Sequence, residues 1–129
     1  MIKYGFLKRI NCDYERVLEK LSLALKNEGF GILTQIDVRN TLKNKLDVDF
    51  PKYMIVGVCN PSLAYRALQS EINIGLMLPC NIIIYEKDGD TYIALAKPSA
   101  AMAAVDNPAL EKIVAEAESR LVKVFDSIS

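Results

Sequence analysis

Two stretches of the chain, residues 53–59 and 81–87, are apolar on both of the faces that a strand presents, and no other feature constrains the fold so strongly. Successive side chains of a strand point to opposite sides. In the first stretch Met54, Val56 and Val58 take one side, and Tyr53, Ile55 and Gly57 the other. In the second, Ile82 and Ile84 oppose Ile83 and Tyr85. Strands of this kind sit inside a sheet and need cover on both faces. Asp88-Gly89 follows the second stretch directly, and a tight hairpin turn favours these residues because it needs positive φ. A return strand over residues 91–96 therefore pairs antiparallel with it.

The rest of the chain supplies the cover. Residues 2–10 alternate, with Ile2, Tyr4 and Phe6 opposing Lys3, Gly5 and Leu7, and predict a strand. Asn11 or Asp13 can cap the following helix, which carries Tyr14, Val17, Leu18, Leu21 and Leu25 as one stripe and ends at Gly29. A second strand follows over residues 30–36. Asp37 then caps a short helix with Val38, Leu42 and Leu46 on one face and Lys43 and Lys45 in solvent. Asn60-Pro61 starts another, with Leu63, Ala67 and Leu68 inside, since Asn caps and Pro wastes no N–H in the first turn. A loop holding Gly75 and Pro79 leads to the hairpin. Beyond it, residues 97–106 form an alanine-rich connection, and Asn107-Pro108 opens a last helix with Leu110, Ile113, Val114, Ala117, Leu121, Val124 and Phe125 on one side. This order predicts a single α+β domain over residues 1–129, with a mainly antiparallel sheet and two long helices on one face. The short helices are expected to cover part of the second face and a second subunit the rest, giving a homodimer.

Composition limits the chemistry. A chain of 129 residues buries roughly two thirds of its unfolded surface and folds without a disulfide or metal. Sixteen Lys and Arg balance sixteen Asp and Glu, which argues against nucleic acid and anionic membranes as partners. No apolar run is long enough to span a bilayer, and the first ten residues lack a signal-peptide core, so a cytoplasmic location is expected. The three cysteines then read as thiols, with Cys59 and Cys80 not disulfide-bonded in the cell. There is no histidine. That removes Ser–His–Asp and Cys–His catalysis and the histidine-containing zinc sites together, leaving carboxylates, Lys, Tyr or Cys as acids and bases. No cofactor or metal is implied.

Several stretches resemble domain-of-unknown-function family 302, small bacterial and archaeal proteins. They are Gly29-Phe-Gly-Ile-Leu-Thr-Gln-Ile-Asp-Val38, Cys59-Asn-Pro-Ser-Leu-Ala64, Ile74-Gly-Leu-Met-Leu-Pro-Cys-Asn81 and Asp106-Asn-Pro-Ala-Leu110. The resemblance implies a β-α-β4-α arrangement and no established activity. It also implies Glu, His and Asp where this chain has Gln35, Tyr65 and Lys97, so a metal or acid–base site built from those positions is weakened here.

Cys59 and Cys80 are the sharpest site candidates. Cys59 ends one strand just before the Asn60-Pro61 helix start, and Cys80 begins the strand after that helix. If the two strands are antiparallel neighbours, both sulfurs lie near one sheet end. A helix N-terminus favours the thiolate. The plainer reading makes both small buried core residues. Asn60 is either an ordinary cap or the edge of an anion site. Tyr65 is more simply a packed aromatic than an acid. Gly29-Phe-Gly31 is not a dinucleotide fingerprint, because it follows a helix and Thr34 stands at the third glycine position. Glu15, Glu19 and Lys20 read as a solvated helix face, and Lys97 with Ser99 is a weak echo of a Ser–Lys pair.

Two functions are compatible with these residues. The first is a non-catalytic small-ligand binding or sensing module with a pocket near Cys59, Asn60, Tyr65 and Cys80. The second is a thiol-dependent redox enzyme using Cys59 or Cys80.

Overall fold

Five strands form one sheet in which every neighbouring pair is antiparallel: β1 (Gly5–Ile10), β2 (Gly31–Asp37), β3 (Tyr53–Cys59), β4 (Cys80–Lys87) and β5 (Asp90–Ala96), in the order β1-β5-β4-β3-β2. The computed structural model describes residues 2–129. The helices are α1 (Tyr14–Asn27), α2 (Val38–Leu46), α3 (Pro61–Ser70), α4 (Pro98–Ala101) and α5 (Glu111–Ser127). This is the α+β fold expected. The turn between β4 and β5 is made at Asp88 and Gly89, with φ of 53° and 83°. Positive φ at both positions is what a two-residue hairpin asks for.

Register assigns the two faces. Val56 pairs with Ile82, Ile82 with Leu95, and Leu95 with Phe6, so these four lie in one row. Met54, Ile84, Ile93 and Lys8 make the next row on the same side. Val17, Leu21 and Leu25 of α1 and Ile113, Leu121, Val124 and Phe125 of α5 close over this side in one core. Lys8 is the polar member. It donates from Nζ to the Phe125 carbonyl and lies 4.6 Å from the centre of that ring, a cation at the C-terminal end of α5.

The short helices depart from expectation. Leu63 and Ala67 of α3 are buried in the same core as α1 and α5, so α3 covers the helix side and gives nothing to the second face. No residue of α2 is buried, and Leu46 is largely exposed. An isolated stripe of three apolar residues on a nine-residue helix leaves little to bury. The second face keeps its own row, Leu7–Ala94–Ile83–Ile55–Ile36, one residue from each strand.

Helix ends mostly follow the sequence. Asp37 accepts from the Asn40 amide, and Gly29 takes φ of 79° just past α1. Asp13 stands at the N-cap of α1, but its carboxylate makes no capping bond; its backbone carbonyl takes the Arg16 amide instead. The expected loop before β4 contains a 3-10 turn, Ile72–Met77, and Asn107 caps another, Pro108–Leu110, before α5 begins.

Candidate functional site

Asn60 stands where β3 passes into α3, and it is buried. Its Oδ1 accepts from the Leu63 amide at 3.2 Å, satisfying one free donor of the first helical turn. Its Nδ2 donates to the Glu28 carbonyl at the end of α1, 3.5 Å away. Arg120 of α5 donates to the same oxygen through Nη1 at 3.4 Å. Three helices are thus tied at one carbonyl. Gly29 follows it, and a Cβ there would lie 3.1 Å from Asn60 Nδ2.

Cys80 begins β4 opposite Val58, on the helix side, packed against the core. Cys59 lies one residue beyond Val58, so the two thiols share a sheet end without being cross-strand partners. Both thiols titrate above the usual range. Burial is the cause at Cys59, and at Cys80 burial is joined by the charge that Cys59 would carry. Loss of water around the sulfur is the first cause at both positions, and it disfavours the thiolate.

Cys59, Asn60 and Cys80 line one cavity of about 50 Å³ between the sheet and helices α3 and α5. Its remaining walls are apolar, from Phe30 and Val58 across Leu63 and Ile74 to Ile113. The space exists because small residues face it: Ala64 and Ala67 on α3 and Ala117 on α5. Pro98 and Met102 of the alanine-rich connection close one side. This contribution of residues 97–106 was not foreseen. Its only sequence signal is that the connection is apolar where polar residues are usual.

The structure brings three of the four candidates together and leaves out the fourth. Tyr65 lies on the outer side of α3, 64% exposed, and does not line the cavity. Gln35 lines a separate surface groove beside α1, and Lys97 caps α4 with its ammonium 5.2 Å from the Phe6 ring. These two positions and Tyr65 therefore share no pocket. Among the described residues, no three Cys, Asp or Glu side chains are placed to hold a metal ion. No helix among them is long and apolar enough to cross a membrane.

An antiparallel sheet with helices packed on one side, and an apolar cavity at one sheet end, define a small α+β domain. Residues 7–128 match the family described as Domain of unknown function DUF302, and the chain belongs to that family. It is similar in structure to an uncharacterized conserved DUF302 protein from Bacillus stearothermophilus. The TM-score is 0.92 at 32% sequence identity, over 99% of this chain and 100% of the other. No curated protein matches the chain.

Proposed function

We propose that the protein is a non-catalytic module that binds or senses a small ligand in the cavity at the Cys59–Cys80 end. The observation that carries this reading is the convergence of Cys59, Asn60 and Cys80 on one apolar cavity. Binding sites are mostly apolar concavities with a few placed polar groups. Here Asn60 is the single amide side chain in the wall. With both its ends already engaged, it fixes the wall's geometry. A cavity of about 50 Å³ admits a few non-hydrogen atoms, far below the several hundred Å³ of a cofactor site. The ligand, or the part of it that enters, is therefore short and apolar.

The reading includes a homodimer formed through the uncovered sheet face, no nucleic-acid partner, and a cytoplasmic setting in which the thiols stay reduced. The competing reading, a thiol-dependent redox enzyme, rests on the shared placement of Cys59 and Cys80. Their raised titration favours the binding module, because the thiolate is the reactive form.

Methyl NMR with a panel of small alcohols tests the proposal. Perturbations should gather at Met102, Leu63 and Ile113 and vanish in Ala64→Leu, which fills the space. Perturbations scattered over the surface would overturn it. Rapid, selective reaction of native Cys59 or Cys80 with a chromogenic disulfide at neutral pH would favour the enzyme.

A further inference from the structure

At the sheet end opposite the apolar cavity, the end of β1, the turn from β4 to β5 and the first turns of α1 enclose a groove of about 370 Å³. Thr91 is the one buried polar residue in its wall, only 6% exposed. It pairs with Ile10 and Glu86 and lies on the helix side of the sheet. Among the described residues its hydroxyl makes no hydrogen bond. Yet no side-chain oxygen or nitrogen among them is sealed from solvent without a partner. Thr91 Oγ1 is therefore reached through the groove that it lines. A hydroxyl set this deep in a wall ordinarily has a partner, and this one has none within the chain.

Charge is sorted across α1 around this groove. Arg16 and Lys20 line it, whereas Glu15 and Glu19 line a separate groove on the side toward β2. Their four-residue spacing puts Arg16 and Lys20 on one helix face, and neither has a carboxylate partner among the described residues. α1 is a helix of 14 residues, and Asp13 at its N-cap gives it no capping bond, so its positive end opens here as well. The remaining charged side chains of the wall are Arg9 and Asp90, which pair at 3.5 Å, and Asp13 itself. Two unpaired cations and a helix N-terminus thus outweigh one unpaired carboxylate.

We infer that this groove is a second ligand site, independent of the apolar cavity, and that it takes a small phosphate monoester whose phosphoryl oxygens accept from Arg16, Lys20 and Thr91 Oγ1. A phosphoryl group offers three strong acceptor oxygens and nearly two charges at neutral pH, which matches three donors better than a planar, singly charged carboxylate does. A helix N-terminus adds to the same preference. The groove is large enough to hold an organic part beside the phosphoryl group. The chain's zero net charge opposes a polyanion, but one small anion needs only a local field.

Titration with glycerol phosphate, inorganic phosphate and acetate at neutral pH and low salt, followed by amide NMR, tests the inference. Glycerol phosphate should shift the amides of residues 11–16 and 89–91 saturably, bind more tightly than inorganic phosphate, and leave acetate weakest. Thr91→Val keeps a strand-favouring, branched side chain and should weaken glycerol phosphate about tenfold, as expected for one lost bond to a charged group. It should leave the urea midpoint unchanged, since the hydroxyl has no partner within the chain. The exposed pair Arg16→Gln, Lys20→Gln should weaken binding by at least about tenfold, and Asp13→Asn, still a good N-cap residue, should tighten it a few-fold. No saturable shift with either phosphate would overturn the site. Unchanged affinity in Thr91→Val would mean that phosphate meets only exposed cations, and would overturn it too. Acetate binding as tightly as the phosphates would overturn the phosphoryl class, and inorganic phosphate binding more tightly than the ester would overturn the monoester.

Discussion

Gly57 and Pro79 meet on the second face of the sheet with no room for a methyl group between them. A Cβ on Gly57 would lie 2.7 Å from Pro79 Cγ, and closer still to Thr34 Oγ1 on the neighbouring strand. Pro79 immediately precedes Cys80, so this contact seats the start of β4 against β3 beside the cavity. Gly57→Ala should destabilise the protein by about 1–3 kcal/mol, the usual cost of overpacking. Urea unfolding measures it, and a change smaller than about 0.5 kcal/mol would mean that the proline moves aside freely.

Asn60 is a second fixed point. Asn60→Ala removes the cap of α3 and one of the two donors at the Glu28 carbonyl. A loss of about 1–3 kcal/mol is expected, combining a lost cap with a part-buried acceptor left underserved. Asn60→Ser keeps a capping oxygen but cannot reach Glu28, so it should fall between the two. If Ser and Ala cost the same, the bond to Glu28 carries the effect and the cap carries none.

Much of this was legible in the chain. Asp88-Gly89 between alternating runs fixed the hairpin, because few residues accept positive φ. Asn60-Pro61 fixed the start of α3 by local chemistry. The stripe of Val17, Leu21 and Leu25 marked a helix that buries one side. What sequence could not supply is which surfaces meet. The inner stripe of α3 says that it packs, not on which face of the sheet. The pairing of Cys80 with Val58 depends on register, which the long connection between β3 and β4 leaves free. The cavity is a still finer matter: it exists because alanines of α3 and α5 face one another, and each alanine alone reads as ordinary helix.

The thiols should be slow. Cys59 and Cys80 titrate above the usual 9.0, so at about pH 8 their thiolate fraction is below that of a free cysteine. Alkylation by iodoacetamide in the folded protein should lag that of an unfolded control and accelerate as pH rises past 9. Stability carries the matching sign. A thiol whose folded pKa exceeds its unfolded one contributes stability below the unfolded value, and loses it as pH rises through the folded one. Tyr14, Tyr53 and Tyr85 are also raised from 10.0, mainly by burial, and act in the same direction. Urea midpoints should therefore fall on the alkaline side above about pH 9, and Cys80→Val should flatten the first part of that fall. A midpoint that is level from neutral pH to about pH 10 would contradict the burial of both kinds of group.

The uncovered sheet face leads to the last expectation. Leu7, Ala94, Ile83, Ile55 and Ile36 cross all five strands in one row. Beside them Tyr53, Tyr85 and Tyr92 stack with centroid separations of 5.5 and 5.3 Å, and Phe50 sets its edge against Tyr53 at 6.1 Å. α3 lies in the core on the other side and α2 has no fully buried residue; in this row Leu7 and Ile36 are exposed, Ile55 and Ile83 half-buried and Ala94 buried. Contiguous apolar and aromatic patches are commonly interaction surfaces. A second copy is the simplest occupant, because one self-complementary patch suffices for a two-fold pair. Stacked tyrosines suit such an interface, offering large rigid area with a polar tip at the rim. Light scattering coupled to size exclusion should therefore give a mass near twice 14.4 kDa. Leu7→Lys and Ile83→Glu place charge in the row without touching the helix side, and each should yield a monomer with unchanged circular dichroism. A native mass near 14.4 kDa at micromolar concentration, unmoved by about tenfold concentration, would mean that this face meets water or some other partner instead.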